Sequence, residues 1–140
     1  MILIAHRGNI DGTNSLLENS PGHILNAMER GYNTEVDVWF ENGGWWLGHD
    51  SPQYDINFAF LQFPNMWLHC KNYAALQQLI PTELNFFYHT DEDYVLTSKK
   101  FIWAYPGQLG GDYTICVMPE RDASVKGFAG VCSDYISGYR

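Results

Sequence analysis

The sequence predicts a parallel α/β fold. Short apolar runs recur along the whole chain, and several of the stretches between them have helical length. Ionisable residues collect where the runs end, as they do at the carboxyl ends of strands in parallel α/β folds. The 140 residues, 46% of them hydrophobic and 16% aromatic, suit one domain, 1–140, around one core.

The elements follow in order. Residues 2–5, Ile-Leu-Ile-Ala, read as a buried strand that ends on His6, Arg7 and Gly8. Residues 9–15 form a polar loop. A helix starts at Asn19 or Ser20, with Pro21 at an early helical position. Ile24, Leu25, Ala27 and Met28 give it an apolar face, and Gly31 stops it. Residues 34–40 alternate, with Thr34, Val36, Val38 and Phe40 on one side and Glu35, Asp37 and Trp39 on the other. Asn42, Gly43 and Gly44 mark a hairpin turn, and the return strand delivers His49 and Asp50.

Residues 51–65 read as an irregular aromatic-rich segment standing where a helix would be expected. Residues 66–70 are the next strand, ending on Lys71 and Asn72. A short amphipathic helix over 73–80 is stopped by Pro81. Residues 85–89 are a strand, 94–98 one helical turn, and 101–105 and 113–118 further strands. Residues 120–126 form a short helix or turn. The last strand, 130–136, carries Asp134. His6, His49, Lys71, His89, Tyr105, Glu120 and Asp134 all fall near strand ends.

Composition excludes some functions. A net charge of −8 disfavours nucleic acid, whose binding rests on Lys and Arg neutralising phosphates. An anionic substrate would need a metal ion or a few placed cations. No apolar run approaches the ~18 residues of a membrane span, and the first residues lack the pattern of a secretory signal. Cys70, Cys116 and Cys132 have no zinc-type spacing and read as reduced, buried thiols, so a cytoplasmic location is expected.

Glu35 and Asp37, two apart on a strand, point to one face. Facing outward they are surface charge. Facing inward they repel and need a cation, for which Mg²⁺ or Ca²⁺ held through oxygen is the natural choice. His6 and His49 have the side chain that titrates near neutral pH, as a general acid and base require. Arg7 can hold a phosphate or pair with Glu18. Lys71 can offset charge developing on phosphorus. No role is assigned to His89 and Asp91, and Lys99 and Lys100 read as a solvated pair.

The succession of His6-Arg7-Gly8, Glu18-Asn19, Ala27 and Gly31, Glu35-Val36-Asp37-Val38 and His49-Asp50 resembles the N-terminal signature of the glycerophosphodiester phosphodiesterase family in order and approximate spacing. Residues 130–136 resemble that family's last barrel strand. Residues 51–126 match only in strand rhythm and in Lys71. The resemblance implies a minimal TIM-type (β/α) barrel and metal-dependent hydrolysis of a glycerophosphodiester-like small phosphodiester. It implies that His6 and His49 are the acid/base pair and that Arg7 and Lys71 contact phosphate, Lys71 also assisting catalysis. Glu35 and Asp37 would bind the divalent metal, Mg²⁺ or Ca²⁺, while Glu18 and Asn19 organise the first loop. The first step in that family is pictured as attack of the substrate's neighbouring hydroxyl on phosphorus.

This chain departs from the family pattern. The family's third carboxylate, two residues before the lysine, is replaced by His69, a poor ligand for Mg²⁺ or Ca²⁺. Either the ion is a different one, or the third ligand comes from elsewhere, with Glu120 the candidate and His69 in support, or the site is weakened. The chain is also far shorter than the ~250 residues of such barrels. Outer helices are expected to be reduced or missing, with a second copy of the chain covering the exposed barrel surface. Short loops leave little wall around a substrate. An alternative reading is a degenerate barrel that holds an anionic, phosphate-containing ligand without turning it over.

Overall fold

The computed structural model describes residues 1–121 and 124–140, with no account of the Arg121 side chain. Its centre is a ten-stranded sheet. Seven strands run parallel: β6 (Phe86–Tyr88), β5 (Met66–Cys70), β2 (Asn33–Glu41), β1 (Ile2–His6), β10 (Gly130–Ser133), β9 (Thr114–Val117) and β8 (Ile102–Ala104), in that spatial order. A hairpin, β3 (Gly44–Leu47) and β4 (Tyr54–Ile56), extends from the far end of β2. The last strand, β7 (Tyr94–Leu96), lies antiparallel on β8. The sheet curls until its ends approach, where Ser98 N–H donates to Phe86 O at 2.8 Å.

This is a curled half-barrel and not the TIM-type (β/α) barrel expected from the sequence. Such a barrel alternates strand and helix eight times. Among the described residues there are two α-helices, α1 (Pro21–Glu29) after β1 and α2 (Tyr73–Leu79) after β5. Among the described residues, the other crossovers are too short or too irregular to form one. Residues 105–113, between β8 and β9, hold a proline and three glycines, which break helices.

The helices that do form have clear local causes. Ser20 caps α1 by accepting from His23 N–H, and Pro21 occupies the first turn. Asn72 caps α2 by accepting from Ala75 N–H at 3.0 Å, and its amide also bonds both polar groups of the Phe40 backbone. One side chain thus starts the helix and ties it to β2.

Other local expectations are corrected. Residues 94–96 form β7 in place of a helical turn, because Tyr-Val-Leu finds a partner in β8. The last strand stops at Ser133, and a 3₁₀ turn over Ile136–Tyr139 follows. The 120–126 segment begins with a 3₁₀ turn, Pro119–Arg121, and its middle lies outside the described residues. In 51–65, β4 and a 3₁₀ turn, Phe58–Gln62, lay Tyr54, Ile56, Phe58 and Phe60 over the core.

Alternation along the strands divides the apolar residues. Val36, Val38, Leu68 and Cys70 face outward beneath the helices, with Ile24, Ala75 and Leu79. Ile4, Trp67, Phe87, Trp103 and Ile115 fill the inside of the curl, where Trp103 lies 4.8 Å from Phe87 and 5.9 Å from Trp67, centroid to centroid. Glu35 and Asp37 share this inner face, above the aromatic floor. All three cysteines are buried. Among the described residues no helix is long and apolar enough to cross a membrane.

Candidate active site

Strand register assembles the site. In parallel strands, residues paired across the ladder point to the same face. His6 pairs with Glu35, and Asp37 pairs with His69. The alternation read in β2 therefore carries both carboxylates inward at the carboxyl ends of three neighbouring strands. Glu35 is 2% exposed and Asp37 1%.

Each group has defined partners. The His6 Nδ1–H donates to Asp134 Oδ1 at 2.8 Å, since a carboxylate only accepts, and Nε2 lies 3.7 Å from Glu35 Oε2. Asp37 Oδ2 accepts from Asn19 Nδ2 at 2.8 Å and sits 3.3 Å from Arg7 Nε, while Asp37 N–H donates to Asn19 Oδ1. The Arg7 guanidinium also reaches Glu18 at 3.6 Å. His69 Nδ1 stands between the carboxylates, 3.1 Å from Asp37 and 3.6 Å from Glu35. Its Nε2–H donates to His89 O at 3.1 Å, and its ring stacks on Phe87.

The loop after β1 is built for this arrangement. Arg7 and Asn19 both have left-handed backbones, with φ of 54° and 65°, unusual for residues with side chains. Asn19 N–H donates to Arg7 O, closing the loop over β2. Gly8 next to Arg7 has φ of 85°, and a Cβ there would lie 2.9 Å from the His23 ring. Only glycine lets α1 approach so closely.

Charges shift accordingly. Burial lowers the His6 pKa, but the hydrogen bond to Asp134 and the Glu35 charge outweigh it, leaving His6 more basic than a free imidazole. Burial opposes ionisation of Asp37, yet His69, Arg7 and Asn19 hold its carboxyl well below the usual range. Burial likewise lowers the His69 pKa, but the bonds to Asp37 and Glu35 carry it up to about 9.

These groups face one cleft of about 360 Å³. His6, Arg7, Glu35 and His69 form its floor, and His49 and Lys71 form one side. Trp103, Tyr105 and His89 form the opposite wall, with the His89 and Tyr105 rings 4.7 Å apart. His49 is half-exposed, and its Nδ1–H donates to Asp50 Oδ1 at 2.7 Å. No Lys71 ion pair occurs among the described residues. Asp37 lies behind the cleft, beneath Arg7.

Most of the residues named from the sequence come together: His6, Arg7, Glu18, Asn19, Glu35, Asp37, His49, His69 and Lys71. Glu120 does not join as a metal ligand. It is exposed, and it accepts from the Ser133 hydroxyl at 2.9 Å and the Asp134 N–H at 3.4 Å, steadying the end of β10. His69 holds the third position, beside Glu35 and Asp37; one ligand atom from each of the three lies within 4.8 Å of the others.

Asp134, which the sequence placed near a strand end without a role, and Asn9, which it did not single out, also join the site. Asn9 Nδ2 donates to both Glu18 and Asp134 at 2.8 Å, while Asn9 Oδ1 accepts from His23 Nε2. The signal for Asp134 was its place at the end of the last strand, which the topology sets beside β1. No family model, curated protein or solved structure matches the chain.

Proposed function

We propose that the chain hydrolyses a small phosphodiester of the glycerophosphodiester type in this cleft, with a divalent ion. The observation that carries the reading is that four imidazoles, His6 and His49 among them, and the cationic Arg7 and Lys71 line one cleft over the buried Glu35. Arg7 and Lys71 would hold the phosphate oxygens and offset charge as phosphorus gains a fifth ligand.

His49 is the base. Its Nδ1–H is committed to Asp50, which leaves Nε2 to take the proton of the attacking hydroxyl, a neighbouring hydroxyl of the substrate itself. His6 is the acid. Asp134 keeps its Nδ1–H engaged, and the Asp134 and Glu35 charges, which raise its pKa, favour a proton on Nε2 for the departing alkoxide. The oxygen–phosphorus bond forms as the phosphorus–alcohol bond breaks, giving a cyclic phosphodiester and the free alcohol. Water then opens the ring with the two imidazoles in exchanged roles, which restores both.

The residues fit a divalent ion. Glu35 Oε2 is buried with no hydrogen-bond partner among the described residues, and Glu35, Asp37 and His69 together offer three convergent donor atoms. When bound, the ion would draw charge from the phosphoryl oxygen and ease ionisation of the attacking hydroxyl. The test is alcohol release from glycerophosphocholine with added divalent ions. Turnover should fall ~10²–10⁴-fold in both His6→Ala and His49→Ala. Activity untouched by both refutes these roles, and binding of a phosphodiester without turnover favours a degenerate, ligand-holding site.

A further inference from the structure

We propose that Glu35, Asp37 and His69 form a site for a borderline transition-metal ion, Zn²⁺ foremost, which they select over Mg²⁺ and Ca²⁺ through the His69 imidazole. The inference rests on the metal part of the reading above. It departs from the hard ion that the sequence resemblance implies.

Three features point to this class of ion. The first is the donor set. Mg²⁺ and Ca²⁺ take oxygen ligands, whereas a site of two carboxylates and one imidazole suits Zn²⁺ and its neighbours. The second is orientation. His69 Nε2–H donates to the His89 carbonyl, so the nitrogen left for the carboxylates is Nδ1. A metal-bound histidine is commonly fixed in this way, its second nitrogen anchored to a backbone carbonyl. Stacking on Phe87 holds the ring in plane.

The third is Glu35, 2% exposed, whose Oε2 has no hydrogen-bond partner among the described residues and lies 3.7 Å from His6 Nε2. A buried carboxylate without full partners is costly. An ion held by Oε1 beside Nδ1 would offset the charge of this carboxylate. Ligands of a tetrahedral ion about 2.1 Å from each would stand about 3.4 Å apart. His69 Nδ1 lies 3.1 Å from Asp37 Oδ1 and 3.6 Å from Glu35 Oε1. The second Asp37 oxygen is taken by Asn19 and Arg7, which leaves Oδ1 for the site. The cleft above, lined by His6 and His49, leaves one side of the cluster open to substrate or water, as a catalytic zinc site requires.

The experiment is calorimetric titration of the metal-free full chain with Zn²⁺, Co²⁺, Mg²⁺ and Ca²⁺, without substrate. The visible spectrum of bound Co²⁺ serves as a second readout. Zn²⁺ should bind one site at least ~100-fold more tightly than Mg²⁺. His69→Gln, close in size but without the ligand nitrogen, should lose at least ~10-fold in Zn²⁺ affinity and change the Co²⁺ spectrum. His69→Glu should recover Mg²⁺ or Ca²⁺ binding. Equal affinity for Zn²⁺ and Mg²⁺, or Zn²⁺ affinity unchanged in His69→Gln, overturns the proposal. Zn²⁺ bound through His69 with no phosphodiester turnover keeps this inference and overturns the hydrolase reading. Turnover with Mg²⁺ alone that His69→Gln leaves intact does the reverse.

Discussion

His6 has two distinct ends, and the proposed chemistry uses both. Asp134 occupies Nδ1, and Nε2 is left facing Glu35 and the cleft. Removing the Asp134 charge leaves burial less opposed, so Asp134→Asn should lower the His6 pKa and draw the alkaline limb of the rate profile to lower pH. Proton NMR titration of the His6 ring reads this directly, and an unmoved titration would show that Asp134 does not set it. His69 affects stability as well. Its folded pKa of about 9 lies above the ~6.5 of a free imidazole, so its contribution is complete below the latter and is lost as pH rises through the former. That shift corresponds to on the order of 3 kcal/mol. Asp37 works in the opposite sense. Its carboxyl is held down, so its contribution is present above ~4 and is lost as pH falls through its lowered folded value. Urea unfolding of the metal-free protein should therefore weaken between pH 6 and pH 10, and His69→Gln should shrink the difference.

At the level of elements, the site depends on how β2 is held at its end. Asn19 satisfies the Asp37 N–H and one Asp37 oxygen from a loop of its own. Asn19→Ala strands both in the interior and should cost about 1–3 kcal/mol for each group, read as a lower urea midpoint. Gly48 turns the chain toward His49. A Cβ there would collide with the Ser51 backbone oxygen. Gly48→Ala should therefore shift this turn, misplace His49 and lower both activity and stability, as assay and thermal melt together would show. The strict alternation of residues 34–40 showed that Glu35 and Asp37 share a face, because a period of two needs no knowledge of neighbours, but which face is inward depends on the strands beside β2. Other features were hidden from a one-dimensional reading. Tyr94, Val95 and Leu96 form a strand only because β8 offers an edge. Glu120 is a carboxylate at a strand end, as a metal ligand would be, yet Ser133 and the Asp134 backbone claim it.

Across the whole molecule, the parallel strands and the edge that carries the polar groups were legible from the sequence, and the wrapping was not. Apolar runs announce strands, but whether helices cover them depends on linker length and composition. Here glycine, proline and short connections leave most crossovers bare. Adjacency is equally long-range: Asp134 meets His6 across 128 positions of sequence because β10 lies beside β1. The site thus depends on the pairing of β1 with β10. The most direct measurement follows a glycerophosphodiester by ³¹P NMR in the presence of the protein and Zn²⁺. The account predicts loss of the diester signal with a transient cyclic phosphodiester resonance, absent with His6→Ala. A diester signal that persists unchanged with the intact protein would contradict it.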